Sequence, residues 1–302
     1  MKHTAQAVLM VSPTTFGFNP ETAASNVYQH DSNDDISVIR RKALLEWQGV
    51  VDMLKREDVE VVAVTDTTHP VKPDALFPNN WITTHEDGTI IVYPLLAKNR
   101  RHEKRTEVVE QVAARHPQAK IVDLSSYEER NMYLEGTGSM ILDRKHKIAY
   151  ACLSPRTFDG PLQKVGELLG YTVVAFQAHD KERPLYHTNL LMSVGEKWVA
   201  ICMDAITDAS EKKNLYGLFA KTGKTVILLD RTQIATYAGN IIELESKSGE
   251  KKILMSARAA ASLTPKQKEL FERFGKLCIA DVSTIEEVGG GGIRCLVAEL
   301  FL

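Results

Sequence analysis

Cysteine is scarce in this chain of 302 residues, with four in all: Cys152, Cys202, Cys278 and Cys295. No two stand in a CxxC spacing, which argues against a cysteine-built zinc site and against a disulfide framework. Net charge is nearly absent as well. With 37 basic against 39 acidic side chains, no polyanion is implied and no nucleic-acid partner is expected. The densest basic run, Lys98 to Arg105, is interleaved with Glu103 and Glu107 at helical spacing and reads as a solvated helix start. Long hydrophobic runs are also missing. The stretch Ala5 to Val11 is too short to span a membrane, and Pro13, Asn19 and Pro20 beyond it do not make a signal-peptide cleavage region. The expectation is a cytoplasmic protein without membrane attachment. Nothing in the sequence calls for a metal or an organic cofactor.

What is present is a repeat. A strand-like segment opening on a small or polar residue recurs at Asn80, Gly138, Asn189, Asn240 and Cys295, at intervals of 58, 51, 51 and 55 residues. The first four are each followed by a turn-rich stretch and a second apolar strand, which makes a hairpin. A helical segment and a third strand close each unit; the helices are expected at 104–114, 161–169, 210–222 and 264–275, the last opening on a Thr-Pro N-cap signal. The fifth hairpin lacks its second strand, because the chain ends at Leu302. The N-terminus supplies it: Val8 to Pro13, a helix over 36–55 and the strand VEVVAVT complete the module begun by CLVAELFL. We therefore expect one α/β domain over 1–302, a five-bladed pseudo-symmetric propeller of ββαβ modules with the two termini sharing a module. In such a ring the five repeat positions converge on one central channel.

Of the cysteines, three sit inside strand-like apolar runs and read as buried and inert. Cys295 follows the run Gly289 to Gly292, which permits unusual backbone conformations and close approach to a ligand. A cysteine nucleophile needs a proton shuttle, and His187 stands two residues before a channel position, on the same face of an extended strand as Asn189. Glu135, three residues before Gly138, can orient that histidine, giving a Cys295-His187-Glu135 constellation.

The order Glu-Gly-x-x, then His-x-Asn, then a glycine run ending in cysteine resembles the guanidine-modifying, or pentein, superfamily of arginine deiminases, dimethylarginine dimethylaminohydrolases and amidinotransferases. The resemblance spans the chain and implies the five-module fold. In PDALFPNN it matches Asp74 to the acid that holds a substrate α-ammonium, and it places Asn79 and Asn80 in the pocket. It matches Arg100 in RRHE and Arg156 in SPRT to arginines that bind the α-carboxylate, for which a planar guanidinium is suited.

Members acting on guanidinium cations surround the cation with carboxylates. Here Asn80, Gly138 and Asn189 stand at those three positions. A buried cation without counter-charges carries a desolvation cost of several kcal/mol, so a neutral substrate group is expected. The ureido group of citrulline fits amide side chains, which both donate and accept. The segments FGFNPETAASN and FPNNW are similar to those of citrulline ureidases and place Asn19 on a loop over the pocket. The expected activity is cleavage of L-citrulline to ornithine, carbon dioxide and ammonia through a covalent Cys295 intermediate. Two alternatives stand beside it: an arginine deiminase or dimethylarginine dimethylaminohydrolase type of hydrolase, and a non-catalytic propeller that binds a partner. The expected partner is a small amino-acid substrate, and homo-oligomerisation stays open.

Overall fold

A computed structural model describes residues 2–180 and 182–301. Among the described residues five three-stranded sheets carry the fold, each an antiparallel pair with a third strand added in parallel, and in four of them the antiparallel pair is a hairpin. Ile82–Thr84 and Thr89–Val92 form the first hairpin; the helix Thr106–Ala113 then leads to Lys120–Asp123. The second sheet holds Met140–Asp143, Ile148–Cys152 and, after the helix Asp159–Leu169, Thr172–Phe176. In the third, Met192–Val194 and Trp198–Ile201 are followed by the helix Ala209–Lys221 and the strand Thr225–Leu228. The fourth has Ile242–Glu245 and Lys251–Ser256, then the helices Ala257–Ser262 and Pro265–Glu272, then Lys276–Ala280. Thr264 caps the second of these helices ahead of Pro265, with the reciprocal Gln267 contact of a capping box.

The chain's two ends share the fifth sheet. Ala7–Val11 pairs antiparallel with Ala298–Leu300 and parallel with Glu60–Val64, and the helix Ile36–Arg56 connects the two parallel strands. That helix buries Ile39, Ala43, Trp47, Val50 and Leu54, whose spacing of three and four residues keeps them on one face. The middle strands Ala7–Val11 and Ile148–Cys152 are covered on both faces and read as continuous apolar runs, AVLMV and IAYAC. A two-residue ribbon, His179–Asp180 with Arg183–Pro184, lies outside the five sheets and has no counterpart in the repeat. No helix among the described residues is long and apolar enough to cross a membrane.

The repeat positions depart from expectation in one respect. They do not lie on the first strand of each hairpin but in a single turn just before it: Pro78–Asn80, Gly136–Ser139, Thr188–Leu191 and Ile293–Leu296. The amide N–H groups of Asn80, Gly138, Asn240 and Cys295 each bond to the carbonyl three residues back, on Phe77, Glu135, Tyr237 and Gly292. His187 and Asn189 accordingly do not share a strand face; His187 is the extended residue that opens the turn and Asn189 lies within it. These turns pack against one another, as the first strands of neighbouring hairpins do, Ala298–Leu300 on Ile82–Thr84 and Met140–Asp143 on Met192–Val194.

Trp198 anchors the third sheet. It is fully buried, its indole donates to Glu243 Oε2 at 2.6 Å, and its ring meets Phe271 edge-on at 5.2 Å. Trp198→Ala should lower the unfolding free energy by about 3–5 kcal/mol, because it opens a cavity and strips Glu243 of a donor. Urea denaturation followed by circular dichroism checks this.

Candidate active site

Cys295 lies in the turn Ile293–Leu296 and is 5% exposed. Its sulfur accepts from the side-chain amides of Asn189 and Asn240, each Nδ2 at 3.4 Å. The glycine segment lets neighbours approach: Gly290 has φ +62°, and a Cβ there would stand 2.5 Å from Asn26 Nδ2. Burial pushes the Cys295 thiol above its usual range, and the bonds from Asn240 and Asn189 and the Arg294 charge offset this only in part. The remaining cysteines are buried in or beside strands. Burial drives Cys152 to about 12 and Cys278 to about 11.

Glu135 has no exposed surface, and its Oε2 lies 2.7 Å from His187 Nε2. Arg156 reaches the same oxygen at 3.3 Å and Arg100 at 3.7 Å, while the Leu96 N–H donates to Oε1. Burial alone would raise this carboxyl; Arg156, His187 and Arg100 overcome it and hold Glu135 ionised well below the usual carboxylate range. His187 is lowered to about 4, because burial and the two arginines outweigh Glu135. The resting imidazole is therefore neutral, with its Nε2 proton on the Glu135 side.

Asp74, 3% exposed, accepts from Asn19 Nδ2 at 2.7 Å and from the Thr22 hydroxyl at 3.3 Å, and Arg100 Nε lies 3.7 Å away. Its Oδ1 is buried and makes no hydrogen bond within the protein. Burial raises its carboxyl, with Arg100 opposing. Asn19 caps the short helix Pro20–Ala23 and exchanges bonds with Asn99. Arg100 is held by Glu103 through two bonds, Nε to Oε1 at 2.8 Å and Nη2 to Oε2 at 2.9 Å, and its Nη1 donates to Asn80 Oδ1 at 2.9 Å. Asn80 Nδ2 in turn donates to Asn79 Oδ1, and Asn79 Nδ2 stays buried without a partner. Arg156 bonds Ser25 Oγ at 2.7 Å and the Thr22 carbonyl, and its guanidinium stacks 4.6 Å over the Tyr186 ring.

Asp74, Asn80, Arg100, Arg156, His187, Asn189 and Cys295 thus line one cavity, with free space of about 20 Å³. Asn19, Asn79 and Glu135 stand just behind that lining, in contact with it. The run from Lys98 to Arg105 is not the solvated helix start the sequence pattern implied. Asn99–Glu103 is a short 3₁₀ turn in which Arg100 and Glu103 are both 2% exposed, since each charge neutralises the other inside the fold. Sequence reasoning also passed over Ser25, Asn26 and Tyr186. The Tyr186 hydroxyl donates toward Asn26 Oδ1 at 2.8 Å and the Gly290 carbonyl at 3.0 Å, tying the 19–29 segment to the glycine run.

A family model described as N,N dimethylarginine dimethylhydrolase, eukaryotic, matches residues 12–302. The chain belongs to this family. It is thereby a pentein, in a group of amidino hydrolases. Solved structures agree in fold. The N-terminal domain of ArgZ, a cyanobacterial arginine dihydrolase, aligns at TM-score 0.75 and 15% identity over 97% of each chain. Unliganded AgrE aligns at 0.75 and 17%, covering 97% of this chain and 39% of its own. The dimethylarginine dimethylaminohydrolase of Pseudomonas aeruginosa, crystallised with citrulline, aligns at 0.66 and 16% over 98% and 99%. No curated protein matches the sequence.

In this pentein the repeat position at Gly138 is closed to any larger residue. A Cβ would lie 2.5 Å from Asn80 Nδ2 and 2.8 Å from both His187 Nδ1 and Cε1. Any acid here would displace the imidazole. Gly138→Ala should therefore cost activity by roughly tenfold or more through misplacement of His187, with the thermal midpoint changed far less, measured by steady-state kinetics beside calorimetry. The charge state of His187 makes a second prediction. Its imidazole is about 4 folded against 6.5 unfolded, so between those values the unfolded chain binds a proton the folded one does not. Acid therefore destabilises the fold across pH 6.5 to 4, by on the order of 3 kcal/mol from this residue. His187→Gln removes that part of the pH dependence, read from paired urea titrations of the two proteins.

Proposed function

We propose that the chain is a single-domain cysteine hydrolase that cleaves the ureido group of L-citrulline to ornithine, carbon dioxide and ammonia. In this reading the five sheets are blades of a pseudo-five-fold α/β propeller, with the single turns gathered at its centre. The charge of the cavity lining carries the reading. Asp74 is the one carboxylate among the described lining residues, against Arg100 and Arg156, and the sulfur of Cys295 is bonded by neutral amides. A lining of that sign suits an amino-acid carboxylate and opposes a guanidinium cation.

Two buried atoms without partners mark the ends of the substrate. Asp74 Oδ1 offers an acceptor for an α-ammonium, and Asn189 Oδ1 offers one for a ureido N–H beside the sulfur. Arg156 takes the carboxylate once Ser25 and Thr22 release it, and Arg100 stiffens Asn80. Neutral His187 accepts the thiol proton as Cys295 attacks the ureido carbon. It then delivers that proton to the ornithine nitrogen as the C–N bond breaks, leaving S-carbamoyl Cys295. A water molecule gives its proton to His187 and its oxygen to the carbamoyl carbon, and the proton returns to sulfur. The carbamate released falls to carbon dioxide and ammonia. Glu135 holds the ring and stabilises the transient imidazolium.

A guanidinium substrate is the second reading, favoured by the family and by the raised Cys295 thiol, which a cation bound alongside would bring down. Ornithine and ammonia release from citrulline, arginine and dimethylarginine separates the two. Turnover of citrulline should fall by roughly a thousandfold or more in Cys295→Ala. Asn80→Asp should lower it about tenfold, by adding a negative charge to a site built for a neutral group. Conversion of arginine with citrulline untouched overturns the ureido reading, and full activity in Cys295→Ala overturns the nucleophile.

A further inference from the structure

We propose that Asn240 is a catalytic residue of this site, its amide acting with that of Asn189 to hold the Cys295 sulfur and to stabilise the thiolate by N–H donation. This rests on Cys295 being the nucleophile but not on the identity of the substrate. Asn240 is 1% exposed, and two backbone groups that cannot exchange roles fix which way its amide faces. Nδ2 donates to the Asn189 carbonyl at 3.2 Å, and Oδ1 accepts from the Arg294 N–H at 3.0 Å. With both ends assigned, Nδ2 also reaches the sulfur at 3.4 Å, the same distance as Asn189 Nδ2. The thiol form is served too, since Sγ lies 3.8 Å from Asn240 Oδ1, which has a second lone pair. Gly292 makes the approach feasible: a Cβ there would sit 2.6 Å from Asn240 Oδ1.

The charged and titratable groups around Cys295 are committed elsewhere. The Arg294 guanidinium donates to the Val297 carbonyl and to Glu299, both at 2.9 Å. The Tyr237 hydroxyl is bonded to the Glu286 carbonyl, and that of Tyr186 to Asn26 and Gly290. Arg100 and Arg156 are engaged by Glu103, Glu135 and Ser25; Asp74 accepts from Asn19 and Thr22; and His187 faces Glu135. Among the side chains near the sulfur, the two amides are the ones that donate a hydrogen bond to it, and the Arg294 charge acts beside them. Burial lifts the thiol, and the Asn240 bond is the largest contribution acting against it.

The test is the pH dependence of iodoacetamide alkylation of the substrate-free protein, with Cys295→Ala supplying the background from the three other thiols. Asn240→Asp keeps an oxygen for the Arg294 N–H but removes the donor to sulfur. Its alkylation midpoint should rise by about one pH unit or more, and kcat should fall while KM stays. Asn240→Ala, which removes the donor without adding charge, should rise in the same direction, and it carries the test alone if the aspartate variant does not fold. An unshifted midpoint in a folded variant overturns the proposal whatever the turnover. Failure of the nucleophile assignment shows separately, as turnover surviving in Cys295→Ala.

Discussion

Everything at the site leans on one buried carboxylate. Glu135 has no contact with solvent, yet His187, Arg156, Arg100 and the Leu96 N–H all converge on it. A lone ion in that place would be untenable, and two arginines in the same place without it equally so. The set persists because the charges compensate in a chain: Glu103 holds Arg100, Arg100 approaches Glu135 and Asp74, and Glu135 holds Arg156 and His187. Removing one member leaves an uncompensated charge inside the fold. The geometry is thus locked by electrostatics before any substrate arrives.

The backbone makes that convergence feasible. Each hairpin is preceded by one tight turn closed by an N–H to the carbonyl three residues back, so residues about 50 positions apart present their side chains to neighbouring turns. The turns bring the amides of Asn189 and Asn240 onto the Cys295 sulfur, while Asp74, Arg100 and Arg156 line the same cavity. A cationic wall and an amide floor are different solvents for a reacting group, and one short cavity holds both.

Much of this was legible in the sequence. Hairpin and helix periods exposed the repeat, and the sheet of Ala7–Val11 with Ala298–Leu300 could be inferred because one module was short of a strand at each end of the chain. The repeat register also put Asn240 beside Cys295. What it could not provide was the turn, because an apolar segment opening on asparagine looks the same whether its first residues are extended or coiled. Glu103 was hidden for another reason: an acid among bases at helical spacing is usually solvated, and only the burial of Arg100 reveals it as a partner. An Arg-x-x-Glu pair around a residue already matched to a ligand-binding arginine was the available clue. Ser25 and Asn26 lie in a segment with no periodicity, where sequence pattern has nothing to grip.

The small size of the cavity has a kinetic meaning. With about 20 Å³ free, the space holds on the order of one water molecule. Arg156 is meanwhile held by Ser25 and Thr22, and Oδ2 of Asp74 by Asn19 and Thr22, so the 19–29 segment closes over both side chains. A molecule larger than water would enter only by parting that segment, and the free energy of parting it would be subtracted from its apparent affinity.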